Sequence, residues 1–188
     1  METLDIYRTN RPNAPVFVFI HGGAWLGGLA KNNGFPVELF VNAGVHYVAL
    51  DLIAIKEADG DLRRMADQVR RPWVYENAGS FGGDRDRLYV GGFSSGGHLC
   101  GVSLVTDWQK DFGLPPDFIK GGLCMSGMYD LEPVQLSKRS EYVKFADEME
   151  QAMSSHRQIY RLRAPLIITY GRTTPRNFSA KHATSPRL

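Results

Sequence analysis

The sequence RLYVGGFSSGGHL, residues 87–99, contains the pattern that decides the fold. A short apolar run ends in GFSSG, residues 92–96, which matches G-x-S-x-G, and a helical pattern follows. This motif holds a serine on a sharp turn between a strand and a helix, with its Oγ exposed above a sheet. The start of a helix also favours developing negative charge. The motif therefore predicts that Ser94 is a nucleophile.

The glycines decide which of the two adjacent serines has this role. The residues two positions before and after the nucleophile must lack side chains, because the turn is tightly packed. If Ser95 were the nucleophile, Phe93 would occupy one of these positions. We therefore predict that Ser94 is the nucleophile and that the backbone N–H of Ser95 points into an oxyanion hole.

A second motif, HGGAW at residues 21–25, directly follows the apolar run VFVFI, residues 16–20. In α/β hydrolases the loop at this place supplies the other oxyanion N–H, and its glycines allow close approach to the substrate. Each such donor contributes about 3–4 kcal/mol to catalysis. We predict Gly22 and Gly23 as donors, with Ala24 as an alternative.

The other side chains near these motifs have more than one interpretation. His21 could be a base, but at the end of a buried strand it is expected to shape the loop by hydrogen bonding. Trp25 and Phe93 are predicted to line an aromatic pocket, although a core position would also suit Trp25.

Short apolar runs alternate with amphipathic stretches along the chain, which is typical of βαβ units and a mostly parallel sheet. Pro72 is expected to break its helical pattern near Arg71, because an interior proline removes a backbone hydrogen bond. The prediction is an α/β fold with helices flanking the sheet. The apolar runs are residues 4–7, 16–20, 45–50, 87–93, 119–125 and 165–170; the helical patterns are residues 36–43, 61–77, 97–106 and 140–160.

Composition excludes several classes of function. The 188 residues fit one domain, and a formal net charge of +2 argues against nucleic-acid binding. Cys100 and Cys124 have no metal-ligand or redox spacing, so they are expected to be buried free thiols, and no metal or other cofactor is predicted. No signal peptide and no apolar stretch of membrane-spanning length is found, so a cytoplasmic protein without membrane contact is expected.

The motifs also resemble those of a known family. HGGAW, the GFSSGGHL turn, the LDIYR opening and the SGMYDL segment are similar to those of the arylformamidases, which are kynurenine formamidase-like α/β hydrolases related to hormone-sensitive-lipase-like esterases. The resemblance extends from about Thr3 to Gly171. It implies hydrolysis of an N-formyl aryl amine or a small aryl ester. It also implies an acid after the next-to-last strand and a histidine after the last strand.

The C-terminal part departs from this pattern. The last acidic residue is Glu150, and no apolar run follows Tyr170. We therefore expect an incomplete hydrolase domain over residues 1–171, without the last strand and helix, and an irregular basic tail over residues 172–188. This composition indicates a family member cut short or read out of frame. His182 in that tail is a candidate base, or an exposed tail residue; Asp130 is an alternative acid.

Three functions remain open from the sequence. The first is a serine hydrolase that forms an acyl-enzyme on Ser94, with an aryl formamide or ester as its small-molecule substrate. The second is a catalytically impaired remnant that binds small aryl ligands, because acid and base are missing. The third is self-association through an exposed sheet edge near residues 165–170. Nucleotide binding is excluded, since no GxGxxG follows a strand and no GK[ST] occurs.

Overall fold

The computed structural model describes residues 3–171, and their strands form one six-stranded sheet. The order across the sheet is β1-β3-β2-β4-β5-β6, with β1 antiparallel to β3 and all other neighbours parallel. The predicted α/β fold with a mostly parallel sheet is confirmed. The strands are β1 (Leu4–Tyr7), β2 (Ala14–Ile20), β3 (His46–Leu50), β4 (Gly83–Phe93), β5 (Ile119–Met125) and β6 (Leu166–Thr169).

Helices cover both faces of the sheet. Along β2, Val16, Val18 and Ile20 belong to the larger apolar cluster, whereas Phe17 and Phe19 belong to a second cluster on the opposite face. This alternation follows from the two-residue period of a strand, and a strand buried on both faces needs apolar residues at every position. The helices are α1 (Val37–Asn42), α2 (Leu62–Val69), α3 (Trp73–Asn77), α4 (Ser95–Leu104), α5 (Trp108–Phe112), α6 (Glu132–Gln135) and α7 (Asp147–Met153).

Pro72 separates two helices as predicted. Helix α2 ends at Val69, and α3 begins at Trp73 with Pro72 in the preceding cap position. Proline is tolerated there because the first backbone N–H groups of a helix have no intrahelical partner.

The prediction of one long helix over residues 140–160 is wrong. The segment instead contains a 3-10 turn at Lys138–Glu141, the short helix α7, and a 3-10 segment at Ser155–Arg161. The spacing of apolar residues was informative, since Met149 and Met153 are buried. Helix α7 ends at Met153, and the hydroxyl of the cap residue Ser154 accepts from the backbone N–H of Leu131 and donates to Glu150.

The sheet edge at β6 is exposed. Its burial differs from that of the other parallel strands, because the side chains of Ile167 and Ile168 are 63% and 39% exposed. Within the described part of the chain, no strand pairs with the outer side of β6. The predicted tail, residues 172–188, lies outside the described residues, as does His182.

The two cysteines lie in the described part of the chain. As predicted, Cys100 and Cys124 are buried free thiols. Their sulfur atoms are 3.4 Å apart, and burial raises the pKa of Cys100.

No helix between residues 3 and 171 has the length and apolar character needed to cross a membrane.

Candidate active site

Ser94 lies on the turn that joins β4 to α4. Its backbone has φ 55° and ψ −118°, a conformation that residues with a side chain rarely adopt. The turn is held on both sides: the N–H of Ser94 donates to the carbonyl of Met125 at 2.8 Å, and its carbonyl accepts from the N–H of His98 at 3.1 Å. Such strain persists only where the surroundings over-determine it, and it is concentrated at functional sites.

The glycines of the motif are required by the packing of this turn. A Cβ atom on Gly92 would lie 2.2 Å from the carbonyl oxygen of Gly96. A Cβ on Gly96 would lie 2.0 Å from the carbonyl oxygen of Ile20. Both distances are far below van der Waals contact. Ser94 is half-buried, whereas Ser95 is only 2% exposed, so Ser94 is the serine that the turn presents at the surface.

The loop after β2 packs directly against this turn. A Cβ on Gly22 would lie 3.3 Å from the Cβ of Ser94 and 3.0 Å from the carbonyl oxygen of Phe93. The loop then turns through positive φ angles at Gly23 (124°), Ala24 (55°) and Trp25 (63°). Such angles are uncommon for residues with a side chain, so Ala24 and Trp25 give this loop an unusual backbone conformation.

The predicted oxyanion donors are free to bind. Among residues 3–171, the backbone N–H groups of Gly22, Gly23, Ala24 and Ser95 donate no hydrogen bond. They belong to two arms: the loop after β2, and the first turn of α4. The structure therefore brings together the residues that the two motifs single out.

His21 is built into the loop. It is 5% exposed, and its Nδ1 is 2.8 Å from the carbonyl oxygen of Gly22, so Nδ1 carries the proton and donates it. Gly28 makes room for the ring, because a Cβ there would lie 2.2 Å from Nδ1. The ring thus stabilises the loop, in line with the interpretation favoured from the sequence.

The two aromatic residues differ in position. Phe93 is 50% exposed and lies beside Gly22, where it can contact a ligand at Ser94. Trp25 is 2% exposed and packs edge-on against His98 with ring centroids 5.2 Å apart. Trp25 is therefore a core residue, and the surface it lines is a small cavity shared with Gly22 and Ser95.

No described histidine is placed to activate Ser94. Within residues 3–171 the Ser94 hydroxyl makes no hydrogen bond. His98, one helical turn after Ser94, is fully buried and donates from Nε2 to the carbonyl of Met153. Burial lowers the pKa of His98 to about 4, although the hydrogen bond to Met153 acts in the opposite direction.

Asp130, the alternative acid, is paired elsewhere. Its carboxylate accepts from the N–H of Glu132 and lies 3.7 Å from Arg157 and 3.9 Å from Nε2 of His156. The other ring nitrogen of His156 contacts the carbonyl oxygen of Tyr129 at 2.8 Å. Both ring nitrogens of His156 thus face groups other than Ser94.

Two features of the site have no local signal in the sequence. One is the carbonyl of Met125, which holds the N–H of Ser94 from the end of β5. The other is the pairing of Asp130 with His156, which joins segments on different elements. Neither pairing has a characteristic motif, since each depends on how β5 and the segment after α7 pack. Among the described residues, no three His, Cys, Asp or Glu side chains are grouped to hold a metal ion.

Comparisons with known proteins agree with this architecture. Residues 4–117 match the BD-FAE protein family. Kynurenine formamidase of Danio rerio is 32% identical over 166 residues, which cover 86% of this chain and 54% of the relative. Esterase LipC of Mycobacterium tuberculosis is 29% identical over 180 residues, covering 88% of this chain and 44% of the relative. The chain thus spans about half the length of the curated relatives it matches.

Solved esterases share the fold. A thermostable esterase from Pseudomonas putida ECU1011 superposes with a TM-score of 0.70 at 19% identity, covering 90% of this chain and 68% of the esterase. Esterase B of Lactobacillus rhamnosis gives a TM-score of 0.71 at 16% identity, covering 88% and 59%. At these identities the likeness shows the fold.

Proposed function

Because this chain belongs to the BD-FAE family of α/β hydrolases, we propose that it is a serine hydrolase with Ser94 as its nucleophile. One observation carries the proposal: Gly22 lies against the Cβ of Ser94, so two sets of free backbone N–H groups flank the nucleophile. The substrate is an N-formyl aryl amine or a small aryl ester. This class follows from relatives named kynurenine formamidase and esterase, and the exposed ring of Phe93 suits an aryl group.

The chemistry follows from this arrangement. The Oγ of Ser94 attacks the carbonyl carbon, and the carbonyl oxygen becomes an anion that accepts hydrogen bonds from Gly22, Gly23 and Ser95. The bond to the amine or alcohol then breaks, and the leaving group takes the proton that the serine lost. Water hydrolyses the acyl-enzyme and releases formate or another carboxylic acid. His182 is proposed as the base that moves these protons.

A second function is favoured by the surroundings of Ser94. Within residues 3–171 the hydroxyl has no histidine partner, and Asp130 is paired with Arg157 and His156. The alternative is a catalytically impaired protein that binds small aryl ligands. The oxyanion hole and binding alone would then leave a rate about 10³–10⁴-fold above that in water.

Hydrolysis of p-nitrophenyl acetate and of N-formylkynurenine tests the proposal. The wild type should turn over at least one of them, and Ser94→Ala should reduce the rate by about 10³-fold or more. Ser140→Ala, a change at an exposed position, is the matched control and should keep the wild-type rate. Equal rates for the wild type and Ser94→Ala would refute acyl-enzyme chemistry. Saturable binding of an aryl ligand without turnover would favour the impaired protein.

The role of His182 has its own test. If it is the base, His182→Gln should lower the rate toward that of Ser94→Ala, with a small change in KM. A wild-type rate in His182→Gln would exclude it.

Self-association through β6 is a further part of the proposal. Among residues 3–171 no strand pairs with the outer side of β6, and its apolar side chains are exposed, which are the features that promote strand pairing between molecules. A second copy of the chain can meet the same edge by antiparallel pairing about a two-fold axis. Size-exclusion chromatography should show concentration-dependent dimers, and a monomer at all concentrations would contradict this.

A further inference from the structure

The turn that follows β5 has an unusual backbone conformation at Ser126. Its φ angle is 49°, in the left-handed region that residues with a side chain rarely adopt. Among residues 3–171, six residues other than glycine have a positive φ angle, and four of them follow the carboxyl ends of β2, β4 and β5: Ala24, Trp25, Ser94 and Ser126. The first three lie in the two motifs. Ser126 lies outside both, and such backbone strain is concentrated at functional sites.

One peptide group beside Ser126 joins two parts of the sheet. The carbonyl oxygen of Met125 accepts from the N–H of Ser94 at 2.8 Å. The N–H of Ser126 donates to the carbonyl oxygen of Thr169 at 2.7 Å. These carbonyl and N–H groups belong to the same planar unit and point in opposite directions. The unit therefore links the turn at Ser94 to the last residue of β6.

The chain on both sides of Ser126 is fixed by packing. A Cβ on Gly97, in the first turn of α4, would lie 2.8 Å from the carbonyl oxygen of Met125 and 3.1 Å from the Cα of Gly127. The N–H of Gly127 donates to the hydroxyl of buried Tyr129 at 3.3 Å. The peptide groups before and after Ser126 are thus both held, and its two dihedral angles must join them. A negative φ angle would require one of these contacts to break.

We propose that Ser126 is a positioning residue for the nucleophile. Its left-handed backbone keeps the carbonyl of Met125 directed at the N–H of Ser94, and this hydrogen bond fixes the turn from the side of β5. Ser126 acts through Met125 and needs no contact with the substrate. The catalytic consequence rests on the proposed function of Ser94, whereas the hydrogen bond itself can be measured without substrate.

Substitutions that differ in their tolerance of a left-handed backbone provide the test. A β-branched residue disfavours this conformation, glycine adopts it freely and asparagine tolerates it. Ser126→Val should lower kcat for the two substrates above by about 10- to 100-fold, because displacement of a reacting group by about 1 Å has an effect of this size. KM should change by less than about threefold, since binding of the ground state is unaffected. Ser126→Gly and Ser126→Asn should both restore kcat to within about threefold of the wild type.

Asn13→Val is the matched control for the backbone conflict. Asn13 also has a left-handed conformation, with φ 48°, but it precedes β2, at the opposite end of this strand from the loop of residues 21–25. This variant should keep the wild-type kcat. An equal loss of kcat in Asn13→Val and Ser126→Val would overturn the proposal, because general destabilisation would then explain both.

Amide hydrogen exchange gives a measurement that does not depend on turnover. In Ser126→Val the amide of Ser94 should exchange at least about tenfold faster than in the wild type, since its acceptor is displaced. The amide of Ala43, which donates to the carbonyl of Leu39 in α1, should keep its exchange rate. Unchanged exchange at Ser94 in Ser126→Val would overturn the proposal.

The remaining variants decide between the backbone and the side chain of Ser126. A loss of kcat in Ser126→Gly would overturn the proposal, because the missing hydroxyl would then be responsible, and this comparison is decisive even if Ser126→Val does not fold. A loss in Ser126→Asn equal to that in Ser126→Val would also overturn it, since bulk would then be the cause. A wild type without turnover would contradict the proposed function alone, and exchange at Ser94 would still test the role of Ser126.

Discussion

The turn at Ser94 and the strand β6 differ in how many neighbours hold them. Strand β4 lies between β2 and β5, and all ten residues of α4 are buried beneath the turn. In the part of the chain that the structure describes, strand β6 pairs only with β5, and three of its four residues are exposed. The geometry at Ser94 is therefore over-determined, whereas the geometry of the β6 edge depends on one strand and on whatever covers its outer side.

This difference separates the two halves of a hydrolase site. Both arms of the proposed oxyanion hole begin at strands in the middle of the sheet, β2 and β4, and β5 supports the turn at Ser94 through the carbonyl of Met125. The acid and base that the family resemblance implies would follow strands at or beyond β6. In the proposed hydrolase the central half of the site is therefore well supported, whereas the half that would activate Ser94 would follow β6 or lie beyond it.

Substitution of Gly96 should have the largest effect and would test how tightly the central turn is held. A Cβ at this position would lie 2.0 Å from the carbonyl oxygen of Ile20 and 2.4 Å from that of His21, so backbone must move in β2 or α4. We expect Gly96→Ala to lower the free energy of unfolding by about 4 kcal/mol or more, or to prevent folding. Urea unfolding followed by circular dichroism measures this.

The matched control for Gly96→Ala is Gly27→Ala. A Cβ on Gly27 has no atom within 4 Å, and this glycine lies on the adjacent loop. The free energy of unfolding of Gly27→Ala should stay within about 0.5 kcal/mol of the wild-type value. If both variants were equally stable, the turn would be far more plastic than the packing indicates.

Acid should destabilise the folded chain through His98, which lies on the buried helix α4. The pKa of His98 is lowered to about 4 in the folded chain, whereas the unfolded chain keeps a value near 6.5. As the pH falls, the unfolded chain therefore binds the proton first. The contribution of neutral His98 to the free energy of unfolding is fully present above pH 6.5. It should decrease by about 3 kcal/mol between pH 6.5 and pH 4.

His98→Gln isolates this contribution. Glutamine does not titrate, and its side-chain amide can still donate to the carbonyl of Met153. The free energy of unfolding of this variant, measured from pH 7 to pH 4, should decline less steeply than that of the wild type. Parallel curves for the two proteins would mean that other groups cause the acid sensitivity.

The features that were predicted correctly from the sequence lie mostly around the turn at Ser94 and away from the β6 edge. The two motifs and the break at Pro72 depend on residues close in the chain, where turn geometry and missing side chains leave a local pattern. The end of α7 within residues 140–160 was not predicted; Ser154, the residue that follows this helix, binds the backbone N–H of Leu131, and a contact with so distant a segment leaves no local pattern. The pairing of His156 with Asp130 was missed for the same reason. Burial of Trp25 depends on packing against His98, a contact across the fold.

A charged residue on the edge strand β6 should have the smallest effect on the free energy of unfolding. It tests the edge of the sheet, where fewer neighbouring strands hold the structure. Ile167 on β6 is 63% exposed, so Ile167→Lys should change the free energy of unfolding by at most about 0.5 kcal/mol. It should nevertheless reduce self-association, because a lysine on an edge strand opposes pairing with a second copy. Leu39→Lys is the matched control, since Leu39 is 72% exposed and lies on α1, which packs against β3, a strand far from β6 in the sheet order. Sedimentation velocity at several concentrations should show weaker association for Ile167→Lys alone. Equal association in both variants and the wild type would place the contact away from the β6 edge.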